Sequence, residues 1–556
     1  MYQALSTLPL PEAEPGTRYY IQRQLLEFRL AGVDKDENTR KRIRTLQTKL
    51  TEDQSVFDRN ISDGRITIDV QNASELDGLP KDYIDRHAPG ADGTIHITTD
   101  YPDVFPVLQF SKSDKLRRRM FEAFVSRAYP KNRDVLLDMM RLRFQIANLT
   151  GFGSWADYAA ADKMIMTGGN VGKFIQDFDA AARPVAQREY SALLAEERKV
   201  DPSSNEVPFY NWWYLGEQIS RSQYKFDSSE IRPYLPFNQV KQGILDTAAR
   251  LFHVSFQQEL GSPAWAPSVE TWDVVENGKP IGRFYLDMHP RPGKYSHDQM
   301  SPLLDGIVGK QLPEAALVCN FPQPTASDPG LMDYDDVVTF FHEFGHLMHH
   351  ILGGNQQWAG ISGITMEADF IETPSQMLEE WMHSPEVLSS FAHHYKTGDP
   401  VPADLVTRMN RASAFGRGVS VSFQNALSAI SYDIYRSKPE NIDLESLVLG
   451  DVHRYTPFAT IPQQAYFYAG FNHLAGYASS YYTYMWDKVI AEDFFQQFNQ
   501  RNPMLGDTPM RYRRQVLEPG GSVSANTLVR NFLGRPQNTD AFQQWLKDEF
   551  VTPPAP

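Results

Sequence analysis

The strongest chemical signal in the sequence is the motif His342-Glu343-Phe344-Gly345-His346, two histidines with a glutamate beside the first. Residues four apart on an α-helix lie one turn above each other, so both imidazoles can reach one metal ion. Seven of the 14 histidines lie between residues 342 and 394, which makes this the chemically dense part of the chain. The motif predicts a metal site, and the alternative is a pair of core histidines bonded to backbone.

The surrounding residues predict the helix that such a motif needs. Asp333 to Asp336 resemble an N-terminal cap with acidic first-turn residues, and Gly353-Gly354 would end the helix. The residues between them are mostly apolar, which predicts a buried helix. Gly345 costs about 1 kcal/mol relative to alanine inside a helix, so we expect a close neighbour at that position.

Catalytic zinc normally takes three protein ligands and a water molecule, whereas structural zinc usually takes four protein ligands. Candidate third ligands lie at residues 365–381: Glu367, Asp369, Glu372, Glu379 and Glu380. Glu372 is favoured over Glu367 because it borders an irregularity at residues 373–376, which resembles either a capping box with a proline or a proline kink. Glu379 and Glu380 are expected on an exposed helix surface.

Several segments, in order along the chain, resemble the thimet oligopeptidase family of zinc metallopeptidases, which includes neurolysin, oligopeptidase A and dipeptidyl carboxypeptidase. The segments are 282–287 (GRFYLD), 319–321 (CNF), 340–349 (FFHEFGHLMH), 369–379 (DFIETPSQMLE), 519–522 (PGGS) and 532–535 (FLGR). The resemblance implies that His342, His346 and Glu372 bind one zinc ion per chain. It implies that Glu343 is the general base, which accepts a proton from water and later passes one to the leaving amine.

Six of the 26 tyrosines lie between residues 466 and 484. Tyr477, Tyr481 and Tyr484 are spaced by four and three, which predicts that three phenols share one helical face. By themselves these residues indicate an aromatic core stripe. The resemblance instead implies that His473, Tyr477 and Tyr484 face the zinc and stabilise the transition state, with Tyr481 close to the substrate.

The remaining histidines and acids near the motif are weaker candidates. His349 and His350 are expected at the surface or in contact with the metal ligands. Asp369 or Glu367 is a candidate for orienting a metal-binding imidazole by a hydrogen bond.

Composition excludes several classes of protein. The 556 residues carry 54 basic and 69 acidic side chains, a net charge of -15 without a concentrated basic run, so neither a nucleic acid nor an anionic membrane is an expected partner. The one cysteine, Cys319, excludes an internal disulfide. No apolar run is long enough to span a membrane, and residues 1–11 do not resemble a secretion signal, so we expect a cytoplasmic protein. The glycine-rich residues 168–174 lack the spacing of a nucleotide-binding loop.

Periodicity predicts a mainly α-helical chain with few strands, among them residues 94–99 and 282–288. The resemblance implies a two-lobed, neurolysin-like zincin fold with a deep central channel and a small β-sheet near the active site. We expect a helical N-terminal lobe at 1–150, shortened at its start, and a catalytic lobe at 151–556. The shortened start predicts a more open channel.

The function predicted from these residues is zinc-dependent hydrolysis of internal bonds in short peptides by a monomeric enzyme. The alternatives are a dipeptidyl carboxypeptidase of the same family and an inactive relative that only binds peptides. A structural zinc site in a scaffold protein is less well supported, because only three ligands are evident.

Overall fold

Helices make up most of the computed structural model, which describes residues 1–291, 294, 298–326, 328–462, 464–499 and 502–547. The α-helices in chain order are α1 (Tyr2–Ser6), α2 (Pro15–Leu30), α3 (Glu37–Asp63), α4 (Lys81–Arg86), α5 (Tyr101–Phe110), α6 (Asp114–Val125), α7 (Lys131–Thr150), α8 (Trp155–Ala160), α9 (Gly168–Glu197), α10 (Trp212–Ile219), α11 (Phe237–Phe252), α12 (Tyr334–Leu352), α13 (Glu372–Glu379), α14 (Pro385–Phe391), α15 (Ala403–Ala414), α16 (Arg417–Asp433), α17 (Leu444–Tyr455), α18 (Phe467–Gly470), α19 (His473–Gly476), α20 (Thr483–Phe495), α21 (Thr508–Tyr512), α22 (Ala525–Leu533) and α23 (Asp540–Lys547).

The described strands form three small sheets. The strands are β1 (Thr67–Val70), β2 (Ile95–Thr98), β3 (Val207–Pro208), β4 (Ser255–Gln258), β5 (Glu270–Glu276), β6 (Lys279–Asp287), β7 (Gln299–Leu304), β8 (Glu314–Val318) and β9 (Ala459–Thr460). Two sheets are the pairs β1-β2 and β3-β9, and the third has the order β4-β5-β6-β8-β7. The two strands predicted from the sequence, β2 and β6, are therefore members of different sheets.

The five-stranded sheet packs against α12, the helix that carries the histidine motif. Within the sheet, β6 and β8 are parallel, with Arg283 opposite Glu314, and the other neighbours are antiparallel. β7 lies at one edge. The prediction of a mainly helical fold with a small sheet near the candidate site is confirmed.

The larger of the hydrophobic cores surrounds α12. It combines the inner face of the five-stranded sheet, at Phe284 and Leu317, with α11, α13, α14, α20 and α22. Because α12 contributes residues from Val337 to Leu352 to this core, the histidine motif lies on a helix held by packing on several sides.

A second large core unites the N-terminal helices with later ones. It joins α3, α5, α6 and α7 to residues of α16 and α17 and to residues 459–478. The helices from both sides of residue 150 thus pack together, and the division at that residue stays a prediction. Among the described residues, none of the helices has both the length and the apolar character needed to cross a membrane.

Candidate metal centre

α12 begins and ends where the sequence predicts. A capping box at its start pairs the Asp333 side chain with the backbone of the third helical residue, and the Asp336 side chain accepts from the Asp333 amide at 3.4 Å. The helix ends at Leu352 and Gly353 follows as its C-terminal cap. The start of the helix is set by local hydrogen bonding and is therefore readable from the sequence, whereas Gly353 has an ordinary right-handed backbone with a φ of -74°.

Gly345 brings α12 into direct contact with α13. A Cβ atom added at this glycine would lie 2.7 Å from Ser375 Cα and 2.8 Å from the Pro374 carbonyl oxygen. Only glycine permits this approach, because both neighbours are backbone atoms. The expectation of a close neighbour at Gly345 is confirmed.

The two histidines of the motif and one glutamate of α13 converge on a common point. The Nε2 atoms of His342 and His346 lie 3.1 Å and 3.2 Å from Glu372 Oε2. These three donor atoms all lie within 4.8 Å of one another, and no other group of three such donors occurs in the part of the chain that the structure describes. Two imidazole nitrogens and one carboxylate oxygen fit the ligand set of a catalytic zinc ion, which keeps its fourth position open.

The charges in this cluster are mutually stabilising. Burial raises the pKa of Glu372, but hydrogen bonds from His342 and His346 outweigh it and hold the pKa well below its ordinary value. Burial opposes the charged form of His342, while hydrogen bonds to Glu372 and Glu379 raise its pKa to about 10. A cation bound here would have to displace a proton from His342, so its affinity would increase with pH.

Glu379 is the residue that orients His342. Its Oε1 atom lies 2.6 Å from His342 Nδ1, which leaves Nε2 directed at Glu372. The expectation that Glu379 is exposed at a helix surface is wrong, because this face of α13 packs against α12. The available signal was spacing: Glu379 is seven residues after Glu372, two helical turns along the same face.

The expectation of an exposed Glu380 is also wrong. α20 packs on α13, and Lys488 donates from Nζ to Glu380 Oε1 at 2.7 Å in a buried ion pair.

The helix α13 begins at Glu372, so Pro374 lies in the first turn, where its missing amide hydrogen leaves no helical bond unmade.

Neither Glu367 nor Asp369 contacts an imidazole. Glu367 accepts from the Tyr19 hydroxyl at 2.6 Å and from the Ala525 amide at 3.2 Å. Asp369 accepts from the amide of Met164 at 2.7 Å. Both acids tie the turn before Glu372 to distant parts of the chain. The carboxylate that orients an imidazole is that of Glu379, and not that of Glu367 or Asp369 as predicted.

His349 and His350 are fully buried, so the expectation of a surface position is wrong. His350 Nε2 lies 3.0 Å from the Leu304 carbonyl oxygen. Neither ring nitrogen of His349 has a hydrogen-bond partner, and burial lowers its pKa to about 3. The five-stranded sheet packs on α12, and β7 contacts His350 there.

Glu343 is held beside the three donors. Its Oε2 atom accepts from the Met300 amide of β7 at 2.6 Å, and its side chain is buried. Burial raises the pKa of Glu343 above its ordinary value, and the neighbouring histidines oppose this. A carboxylate with a raised pKa is better matched to accepting a proton from water near neutral pH.

The expectation that three tyrosines share one helical face is wrong. α19 ends at Gly476 and α20 begins at Thr483, and between them Ser479 has a left-handed φ of 62°. Tyr477 and Tyr481 therefore lie in a turn ahead of the helix. A periodicity argument fails there because the helix is interrupted within the repeat.

The turn nevertheless gathers the predicted residues. The His473 ring lies 5.8 Å from the Tyr477 ring, 5.0 Å from Tyr481 and 5.9 Å from Tyr484. The Tyr484 hydroxyl lies 3.4 Å from His473 Nε2. The Tyr481 hydroxyl donates to Gln424 Oε1 at 2.9 Å, so it points away from the other phenols.

The phenols of Tyr477 and Tyr484 lie close to the three donors. Burial raises the pKa of Tyr477, and the nearby charge of Glu372 raises it further. Burial raises the pKa of Tyr484, and electrostatic interactions with Tyr477 and Glu372 raise it further. Both phenols are therefore protonated at neutral pH and able to donate a hydrogen bond.

Two contacts that the sequence did not suggest connect α13 to α20. The fully buried Asp487 accepts from the Glu372 amide at 2.9 Å, and Gln376 donates from Nε2 to the Tyr484 carbonyl at 3.2 Å. The first helps to place Glu372, and the second ties its helix to the tyrosines. Residues more than 100 positions apart cannot be paired by local pattern, so no signal in the sequence pointed to them.

Two histidines one turn apart, completed by one glutamate and with a second glutamate beside them, are the arrangement expected of a metallopeptidase. The model for Peptidase family M3 matches residues 107–548, and the chain belongs to that family.

The chain is similar in sequence to curated enzymes over most of its length. It is 30% identical over 549 residues to thimet-like oligopeptidase of Dictyostelium discoideum, covering 94% of this chain and 80% of the relative. It is 28% identical over 545 residues to oligopeptidase A of Escherichia coli, with the same coverages. It is also 28% identical over 539 residues to dipeptidyl carboxypeptidase of Escherichia coli, covering 91% and 77%.

Solved structures share the fold. A PZ peptidase A with an inhibitor superposes with a TM-score of 0.57 at 13% identity, covering 99% of this chain and 82% of the other. An oligoendopeptidase F superposes with a TM-score of 0.60 at 12% identity and the same coverages. The match to the family model confirms the family that the sequence motifs indicated.

Proposed function

We propose that the chain is a zinc-dependent metallopeptidase that hydrolyses internal bonds of short peptides. The observation that carries the proposal is the convergence of His342 Nε2, His346 Nε2 and Glu372 Oε2 within 4.8 Å, with Glu343 beside them. Binding alone would not require Glu343, which weighs against an inactive peptide-binding relative. Three donors in place of four weigh against a structural zinc site.

His342, His346 and Glu372 would hold the metal. Zinc would supply Lewis acidity and lower the pKa of a water molecule toward 7. Glu343 accepts a proton from the attacking water as the oxygen–carbon bond to the scissile carbonyl forms. It then passes the proton to the amide nitrogen as the carbon–nitrogen bond breaks, and no covalent enzyme intermediate is needed.

The negative charge that develops on the carbonyl oxygen needs hydrogen-bond donors. Tyr484 and Tyr477 are proposed as those donors, because both phenols stay protonated beside Glu372. His473 is proposed to orient Tyr484, whose hydroxyl lies 3.4 Å from its Nε2 atom. Tyr481 is proposed to contact the substrate through its ring, since its hydroxyl is engaged by Gln424.

The relatives named oligopeptidases support peptides as substrates, and short peptides in particular. Dipeptidyl carboxypeptidase is the second candidate, favoured by a relative of that name at similar identity. Mass spectrometry of the products separates the two: internal cleavage yields several fragment lengths, whereas the alternative releases dipeptides from the C-terminus.

The same proposal includes a deep channel that restricts entry, a monomeric state and a cytoplasmic location.

The deciding experiment compares the wild type with Glu343→Gln on quenched fluorescent oligopeptides, with zinc measured in both. The variant is expected to keep its metal and to lose about 10²–10⁴-fold in kcat, the usual contribution of a general base. Glu386→Gln, at an exposed position in the first turn of α14, is the matched control and is expected to behave like the wild type. Equal activity of Glu343→Gln would remove this residue from the mechanism, and a wild type without zinc would remove the metal assignment.

A further inference from the structure

Four aromatic side chains form a cluster on the surface of α5, α6 and α10, here called the aromatic patch: Tyr101, Phe105, Phe124 and Trp213. The ring centroids of Phe105 and Tyr101 are 5.6 Å apart, and Phe105 lies 6.2 Å from both Phe124 and Trp213. Such distances are typical of interacting aromatic pairs. The four rings therefore form one continuous apolar surface.

The patch is exposed to solvent although a large core lies beneath it. Tyr101 is 45% exposed and Phe105 is 39% exposed, while the neighbouring Val104 and Val107 of α5 are fully buried. The guanidinium of Arg127 lies over the Phe124 ring at 4.3 Å and over the Tyr101 ring at 5.6 Å, which holds the rings in place. A cluster of exposed aromatic rings is a candidate binding surface.

Contacts connect the patch to the candidate catalytic residues. Trp213 lies 5.5 Å from Phe209, and Phe209 lies 4.9 Å from Phe423, whose neighbour Gln424 accepts from the Tyr481 hydroxyl at 2.9 Å. The Tyr481 ring in turn lies 5.0 Å from the His473 ring.

Electrostatics support the same connection. Burial raises the pKa of Tyr481, and Tyr101 is close enough to raise it further. The patch is thus linked to Tyr481 by ring contacts through Phe209 and Phe423.

We infer that the aromatic patch is a substrate subsite that takes an apolar or aromatic side chain of the bound peptide, several residues from the scissile bond. The inference rests on the proposed peptidase function. An extended peptide advances about 3.3–3.6 Å per residue, so a peptide of several residues bound at the metal centre can extend toward the patch. Because the subsite is placed several residues from the scissile bond, it should favour oligopeptides over dipeptides.

The test uses two series of quenched peptides that differ at one position, with phenylalanine in one series and glycine in the other, moved stepwise away from the cleavage site. At one position the wild type is expected to prefer phenylalanine. Phe105→Ala should lower kcat/KM for that peptide about tenfold, mainly through KM, because a lost ring contact removes binding shared by ground and transition states. The glycine series should be unaffected.

Tyr395→Ala is the matched control, because Tyr395 is a similarly exposed aromatic residue whose ring contacts are with His394 and Lys396. It should leave the preference intact, and Phe105→Tyr should restore it. Equal loss on both peptide series, or a preference that survives Phe105→Ala, would overturn the subsite.

A binding measurement separates this inference from the proposed function. The affinity of Glu343→Gln for the same peptides, measured by calorimetry, reports on the patch without turnover. Suppose that the roughly tenfold preference in affinity for the phenylalanine peptide is seen and is lost on adding Phe105→Ala. Absence of hydrolysis by the wild type would then refute the peptidase proposal and leave the subsite standing. Absence of that preference would refute the subsite even in an active enzyme.

Discussion

Two regions meet at the candidate metal centre, and they are built differently. The metal-binding pair, α12 and α13, consists of two regular helices in backbone contact at Gly345. The tyrosine turn, residues 473–484, consists of a short helix, a left-handed Ser479 and the start of α20. Tyr477 in this turn is 43% exposed, whereas His346 and Glu343 are buried.

The difference shows how the tasks are divided. Metal ligands need fixed positions, and two helices pressed together supply them, with Glu379 and Asp487 holding His342 and Glu372. Groups that contact the substrate must be accessible to it. Side chains in a turn are accessible, but they are held less rigidly than those between packed helices. Apart from the proposed general base Glu343, we therefore expect mutations in the metal-binding pair to change stability or metal affinity, and mutations in the tyrosine turn to change turnover.

Apart from Glu343→Gln, the largest effect is expected in the tyrosine turn. Tyr484→Phe removes a proposed oxyanion donor and should lower kcat about 10²–10³-fold. Its zinc content and thermal stability should remain those of the wild type. Tyr481→Phe is the matched control and should lower kcat far less, because the Tyr481 hydroxyl is bonded to Gln424. Loss of zinc in Tyr484→Phe would show that the two regions are not separate.

The next effect is on stability and uses two glycines, one in each region. Gly345→Ala places a Cβ 2.7 Å from Ser375 Cα, and moving α13 away should cost about 3 kcal/mol of unfolding free energy. Gly476→Ala meets nothing within 4 Å, so its unfolding free energy should stay within about 1 kcal/mol of the wild type. Denaturant unfolding measures both, and equal effects would contradict the contrast in rigidity.

The smallest effect is on metal affinity. Glu379→Gln keeps the size of the side chain but removes the charge that orients His342, and zinc affinity should fall about 10–100-fold. Competition with a chromophoric chelator gives the value, and Glu386→Gln serves as the control. An unchanged affinity would mean that the packing of α13, and not the Glu379 carboxylate, sets the His342 ring.

The contrast also explains which expectations were correct. The bounds of α12 and the need for a close neighbour at Gly345 followed from capping, apolar periodicity and helix propensity, which act within a few residues. The errors concern residues whose surroundings are supplied by distant chain. Glu380 was expected on an exposed helix surface and is covered by α20, and His349, which was expected at the surface or in contact with the metal ligands, is fully buried.

The sequence by itself determined the helix that carries His342, Glu343 and His346, and its motifs placed the chain in its family. Only the tertiary structure decided which acid orients His342, how the tyrosine turn presents Tyr484, and that the aromatic patch of α5, α6 and α10 is connected to Tyr481. The physical reason is the distance along the chain over which each effect acts. Capping and periodicity act over one or two helical turns, whereas burial and ion pairing depend on segments that are separate along the chain, as with His342 and Glu379, which are 37 residues apart.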